Sequence, residues 1–129
     1  MIVLDAHIWI WWVHDDPRLT DPARDAIRAN EASGPAVSAI SCWEVAMLAA
    51  KGRIDLKPTT DEWLSLALAY PGVFLAGLTP RIAVESATLP EPFHRDPADR
   101  IIVATARTYD CPLMTVDRLI VDYPHVRHV

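Results

Sequence analysis

The chain opens on a short apolar run, IVL at 2–4, closed by an acidic residue, Asp5. A run this short and wholly apolar suits a strand buried on both faces of a parallel sheet. Residues 6–13 (AHIWIWWV) permit a helix and are apolar almost all round. A helix packed on one face of a sheet buries only part of its circumference. The leftover tryptophans among Trp9, Trp11 and Trp12 therefore either meet another chain or tuck under the loop that follows. Asp21-Pro22 predicts an N-cap with proline at the first helical position, opening a helix to about Glu31. Ser33-Gly34-Pro35 is a break, and AVSAI at 36–40 is the second strand. Ser41 then predicts the cap of a helix through about Ala50, ended by Lys51-Gly52.

The alternation continues along the second half. Pro58-Thr59-Thr60 leads into a helix from Asp61 to about Ala69, and Val73 to Leu78 reads as a third, buried strand. Thr79-Pro80 opens a helix to about Thr88, followed by a proline-rich loop, LPEPFHRDP. The clearest helix runs from Pro97 or Ala98 to about Tyr109. PLMTV at 112–116 is a fourth strand, Asp117 to Val121 a short helix, and VRHV at the end a candidate fifth, edge strand. Strands alternating with helices imply right-handed crossovers and a parallel sheet covered on both faces. In such α/β sheets, ligands bind beyond the carboxyl ends of the strands.

At 129 residues the chain is expected to form one domain, 1–129, with 51% hydrophobic residues to fill its core. The formal charge of −5 argues against binding nucleic acid by global attraction, so any such contact is local. The basic residues are ten Arg and two Lys, and Arg is the better bidentate phosphate ligand. Cys42 and Cys111 match no metal spacing and read as free thiols of a reducing cytoplasm. No secretory signal is expected, because Asp5 interrupts the start. The longest uncharged stretch, Trp63 to Pro80, is split by Pro71-Gly72 and reads as helix then strand, so no membrane span is expected.

Four acidic residues stand where apolar strands give way to helices: Asp5 in IVLDAH, Glu44 in SAISCWE, Asp99 in HRDPADRIIVATA and Asp117 in LMTVD. Each has a capping reading. Ser41-x-x-Glu44 fits a capping box, Asp96-Pro-Ala-Asp99 fits an N-cap with an acidic first turn, and Asp5 and Asp117 can cap the segments they precede. Capping explains one position at a time. It does not explain why all four fall at the same end of the sheet, nor why a buried strand ends on a charge. Converging carboxylates call for a hard divalent cation such as Mg²⁺ or Mn²⁺, which prefers oxygen ligands and needs no His or Cys. Such a centre suits phosphodiester cleavage, where a cation neutralises developing charge and activates water. The hydroxyls of Ser41 or Thr115 can orient a carboxylate or, equally, form caps and turns. Arg95, Arg100 and Arg118 can meet substrate phosphates or form surface ion pairs. Asp96 reads by default as an N-cap, with support of a metal ligand as the alternative, and His94 lies in the loop entering the site, where an exposed loop histidine is the plain reading. His7, His14, His125 and His128 form no ligand spacing.

On these segments the chain resembles the PIN-domain ribonucleases, and among them the VapC toxins of type II toxin–antitoxin pairs. The resemblance spans essentially the whole chain, with HRDPADR before an apolar helix as its strongest piece. It implies a three-layer α/β/α PIN-like fold whose central parallel sheet has four to five strands in the order 3-2-1-4-5. It implies a Mg²⁺- or Mn²⁺-dependent endoribonuclease, a hydrolase, with Asp5, Glu44, Asp99 and Asp117 as catalytic and metal-binding residues and no further cofactor. It also implies a homodimer in the cytoplasm and a small cognate antitoxin, with operator DNA met only through the antitoxin. Other readings are a housekeeping RNA-processing nuclease, a catalytically silent PIN-like module, or a receiver-like signalling domain. The last would need a lysine at a strand end, and Lys51 and Lys57 both lie between helices.

Overall fold

The computed structural model describes residues 1–129. Four parallel strands, β1 (Ile2–Leu4), β2 (Pro35–Ser38), β3 (Phe74–Ala76) and β4 (Leu113–Met114), lie in the order β3-β2-β1-β4. The expected fifth strand is reduced to a single bridge, Leu113 to His128, beside β4 where the order 3-2-1-4-5 would seat it. Side chains alternate across the sheet, as the period of two requires. Ile2, Leu4, Val37 and Met114 enter one core layer, while Val3, Ala36 and Leu113 enter the other.

Helices α1 (Ala6–Val13), α2 (Asp21–Ala29), α3 (Ala39–Ala50) and α4 (Thr60–Leu68) supply Trp9, Ile27, Val45 and Trp63 to the first layer. Helices α5 (Pro80–Ala87), α6 (Pro97–Thr108) and α7 (Arg118–Val121) supply Ile82, Ile102, Val103 and Ile120 to the second. The result is the expected α/β/α arrangement. No helix is long and apolar enough to cross a membrane.

Several boundaries differ from expectation. α3 starts three residues early, capped by Ser38, whose Oγ accepts from the Ile40 N–H at 3.2 Å. The Ser41–Glu44 capping box therefore does not form, and Glu44 sits in the second turn of α3. Ser41 is instead fully buried, and its Oγ bonds to nothing. α2 is capped by Thr20, which puts Asp21 inside the helix. α4 likewise begins at Thr60 under a Thr59 cap. β3 is not a buried strand. It forms the sheet's edge, with Phe74, Leu75 and the following Leu78 exposed.

The tryptophan segment closes on its own chain. Trp9 is fully buried and meets Trp63 edge-on at 5.0 Å. Trp11 lies under the Arg18 guanidinium at 5.0 Å, and Trp12 meets Tyr70 at 5.3 Å. The Trp63 indole N–H donates to His14 Nε2 at 2.7 Å. Trp11 thus packs under the loop that follows α1 and Trp12 against Tyr70, while both remain half-buried.

Candidate active site

The register of the sheet brings the first two site residues together. Leu4 pairs with Met114, so Asp5 and Thr115 both stand one residue beyond the paired ends of adjacent central strands. Thr115 Oγ1 donates to Asp5 Oδ2 at 2.6 Å, and the same hydroxyl oxygen accepts from the Asp117 N–H at 3.0 Å. One threonine thus fixes the orientation of Asp5 and the turn that presents Asp117. The other oxygen of Asp5 accepts from the Ala6 N–H at 2.8 Å, capping α1. Asp117 Oδ1 caps α7 through the Leu119 N–H at 3.0 Å. Capping and a site role coexist, because a carboxylate oxygen holds two lone pairs and one bond leaves the second free.

The other two acids arrive on helices. α6 is capped by Asp96, whose Oδ1 accepts from the Ala98 N–H at 3.0 Å. Pro97 fits the first helical position, where no N–H is needed, and Asp99 follows in the first turn. Glu44 comes from α3, which packs against α6. Burial pushes the Glu44 carboxyl up to about 8, helped by the negative charges of Asp5, Asp99, Asp96 and Asp117. Asp99 is raised for the same reasons, burial first and then Asp96, Asp117 and Asp5, against a bond from His94 that lowers it. Asp5 is raised by burial, with Asp117 adding repulsion and Thr115, Ala6 and His7 opposing. All four expected acids therefore lie within electrostatic reach of one another at the carboxyl end of the sheet.

This arrangement fits a cation. Asp5 and Asp99 are each only 7% exposed, and Glu44 Oε1 is buried with no hydrogen-bond partner. An unpartnered buried carboxylate oxygen among like charges is costly unless it is protonated or meets a positive group. The donor set is all oxygen apart from His94, which suits Mg²⁺ or Mn²⁺.

His94 was not legible as a site residue. Its Nε2 lies 2.6 Å from Asp99 Oδ2, and one ligand atom each from His94, Asp96 and Asp99 lie within 4.8 Å of one another. The available signal was its place five residues before Asp99 in HRDPAD. Of the two readings of Arg100, phosphate contact or ion pair, the bonds it makes fit the second. Its Nε donates to the Ser86 carbonyl at 2.9 Å, Nη1 to the His94 carbonyl at 3.2 Å, and Nη2 meets Glu91 at 3.3 Å. The guanidinium ties the 90–95 loop to α5 and α6. Arg118 is exposed and stands 4.0 Å from Asp122. Arg95 is exposed.

The comparisons agree with this geometry. The PIN domain family model matches residues 2–126. The chain is 38% identical over 128 residues to Ribonuclease VapC22 of Mycobacterium tuberculosis (strain ATCC 25618 / H37Rv), covering 99% of this chain and 95% of that protein. Among solved structures, VapBC2 from Rickettsia felis bound to a DNA fragment from their promoter is similar with a TM-score of 0.72 and 14% identity, covering 100% of this chain and 98% of that one. A toxin–antitoxin complex from Klebsiella pneumoniae is similar with a TM-score of 0.69 and 24% identity, covering 98% and 95%. At these identities the solved structures speak to the fold, while the family model and the curated relative speak to descent. With its four acids gathered beyond the strand ends of a 3-2-1-4 parallel sheet, the chain belongs to the PIN-domain family.

Proposed function

We propose that the chain is a metal-dependent endoribonuclease acting as the toxin of a toxin–antitoxin pair, with Asp5, Glu44, Asp99 and Asp117 as its catalytic and metal-binding residues. The observation that carries this reading is Glu44, whose buried Oε1 lacks any partner and whose charged neighbours are Asp5, Asp99, Asp96 and Asp117. A bound Mg²⁺ or Mn²⁺ would supply charge neutralisation at the scissile phosphate and a more acidic water. The chain's own residues do the rest. Asp5 is locked by the Thr115 hydroxyl and the Ala6 N–H, so one of its lone-pair directions is fixed before substrate arrives. Asp99 is held by His94. Asp117 is carried on a turn that Thr115 pins. Glu44, whose carboxyl is raised by burial beside the other acids, would give up its proton to meet a bound cation as a carboxylate.

The substrate is RNA, in keeping with the name of the relative at 38% identity. The partners are a second copy of the chain and a small antitoxin that meets operator DNA, and the working place is the cytoplasm. The exposed apolar edge of β3, with Phe74, Leu75 and Leu78, supports a self-association surface. The whole of 1–129 acts as one unit.

The test is cleavage of total cellular RNA by the purified chain with Mg²⁺ or Mn²⁺, with EDTA, and with Asp5→Asn alongside. Discrete fragments that need the metal and vanish in the variant are expected. A folded, metal-supplied chain that cuts nothing sinks the nuclease reading. A small adjacent reading frame whose product neutralises the activity separates a toxin from a housekeeping processing enzyme.

A further inference from the structure

Beside the acids runs a groove of about 410 Å³ between the 92–94 loop and the segment that follows Asp117. Its walls include Phe93, His94, Leu119, Tyr123, Pro124 and His125. Both walls are rooted in the acidic cluster. His94 contacts Asp99 at 2.6 Å from one side, and the Leu119 N–H bonds Asp117 at 3.0 Å on the other. The groove therefore adjoins the site, sharing His94 and Leu119 with it as neighbours of Asp99 and Asp117.

Three features define what fits there. The walls carry a series of packed rings, His94 on Phe93 at 4.3 Å, Phe93 on Tyr123 at 4.3 Å, and Tyr123 on His125 at 5.4 Å, in which the buried Tyr123 is the support and Phe93, His94 and His125 are the rings that reach the surface. Leu119 is 58% exposed and Val116, just before Asp117, is 60% exposed, although both flank a highly charged centre. No Lys or Arg lines the groove, and its one acidic wall residue, Asp122, would repel a phosphate. A strand that places its phosphate on the acids must put something uncharged and flat into this space. The volume lies within the range of roughly 300–1,000 Å³ typical of small-ligand sites.

The groove is also preformed. Tyr123 Oη donates to the Pro90 carbonyl at 2.6 Å, and Arg100 holds the carbonyls of Ser86 and His94. His128 Nε2 lies 2.8 Å from the Ile120 carbonyl and steadies α7 from behind. Such fixing lowers the ordering cost of binding.

We infer that this groove is a nucleobase subsite: it seats the base of an unpaired RNA nucleotide adjoining the scissile phosphate, and so selects where the strand is cut. The inference rests on the nuclease reading above. Base stacking on aromatic side chains is the usual means of reading single-stranded RNA.

The test has two arms. In the first, Asp5→Asn with Mg²⁺ is irradiated with a random-sequence single-stranded RNA carrying 4-thiouridine, and the crosslinked peptides are mapped. Crosslinks to residues 92–94 or 119–125 are expected. In the second, wild type and Leu119→Ala/His125→Ala are compared on a short RNA containing a preferred cut site, with an abasic nucleotide placed at each position in turn. The double variant should raise KM roughly tenfold, within the range of stacking effects, while kcat holds. One abasic position beside the cut should cost the wild type a similar factor and the variant almost nothing more.

Cleavage by wild type with crosslinks elsewhere and an unaltered abasic profile overturns the subsite and leaves the nuclease reading standing. Crosslinks in the groove without cleavage by wild type defeat the nuclease reading and, with it, the subsite as a selector of the cut, leaving only an RNA-binding surface. Neither crosslinks nor cleavage overturns both. A groove that takes up a peptide from the partner protein, and excludes RNA bases when the partner is absent, also overturns it.

Discussion

In its first turn α6 carries Asp99, and in its last turn it carries Arg107. At the first end the charges nearest Asp99 are Asp96, Asp117 and Asp5, and its one polar side-chain partner is His94. At the other end Arg107 Nε donates to Glu85 Oε1 and Nη1 donates to the His125 carbonyl, both at 2.6 Å. Close by, Arg127 meets Asp110 at 3.2 Å. The same helix, packed on the same α5, thus ends in a neutralised network on one side and in unbalanced negative charge on the other. Arg100, only one residue from Asp99, makes the contrast sharper, because it is turned onto carbonyls and Glu91 instead of onto the acids. A fold that can pair its charges and does so at one end has left the other end to be completed from outside. Stability explains the paired end, and the proposed metal site would explain the excess of negative charge at the other.

The largest effect should come from removing a charge at the unpaired end. Asp5→Asn keeps the α1 cap through its one oxygen, since asparagine caps as well as aspartate, and its NH2 group takes the place of Oδ2 and can donate to Thr115 Oγ1. The fold should survive, as judged by an unchanged near-UV circular dichroism spectrum. Metal-dependent RNA cleavage should fall about a thousand-fold, corresponding to the several kcal/mol that a correctly held cation contributes. Retention of more than a tenth of the activity would remove Asp5 from the site.

Next in size is Thr115→Val, which deletes the hydroxyl that orients Asp5 and pins Asp117. Partners that orient a metal ligand typically contribute about 10- to 100-fold in affinity. Titration calorimetry with Mn²⁺ should show a loss in that range, and Thr115→Ser should restore most of it. A loss in Thr115→Ser with none in Thr115→Val would mean that the methyl packing, not the hydroxyl, matters.

Much of this end of the molecule was legible in the sequence. IVLD announces a buried strand that ends on a charge, and HRDPADR announces a capped helix with an acid in its first turn. What stayed hidden depends on tertiary placement. AVSAI reads as five strand residues, but β2 pairs only as far as Ser38 with Ala76, so α3 begins under a Ser38 cap. Val73 to Leu78 is apolar enough to be buried, and only the strand order reveals that β3 is an edge. The contact between His94 and Asp99 depends on how the proline-rich loop folds back, which no local period encodes. The cover for Trp12 comes from Tyr70, across helices the sequence does not juxtapose.

The pH response of the metal-free chain gives a third measurement. Glu44 titrates at about 8 in the folded chain against an ordinary 4.5. Between those values the folded state keeps the proton and the unfolded state releases it. Unfolding therefore sheds a proton, and stability falls as pH rises through the window. Asp5 and Asp99, also raised, add to the same slope from lower pH. Chemical denaturation in EDTA should show the metal-free chain losing stability from about pH 5 to pH 8. Saturating Mg²⁺ should flatten the profile by displacing the proton, and Glu44→Gln should flatten it without metal. A profile that rises over this interval would mean that the acids are already compensated by the protein itself.

The smallest effects belong to the paired end, and they complete the comparison. The side chains of Arg107 and Glu85 are each about one-third exposed, so water already screens the pair. Arg107→Met should cost about 1 kcal/mol, near the upper limit for pairs of this kind. Part of that cost is the loss of the donor to the His125 carbonyl. Arg127→Gln, whose partner Asp110 is almost fully exposed, should fall within about 0.5 kcal/mol of wild type. Both variants should cleave RNA at the wild-type rate, because neither group reaches the acids. Arg107→Met does carry one further consequence: it frees the 125 segment that forms an end of the groove beside the site. If that segment is held chiefly by Tyr123 and His128, the cut-site preference will not move. A shifted preference at unchanged stability would instead show that the neutralised end of α6 also tunes the reactive one.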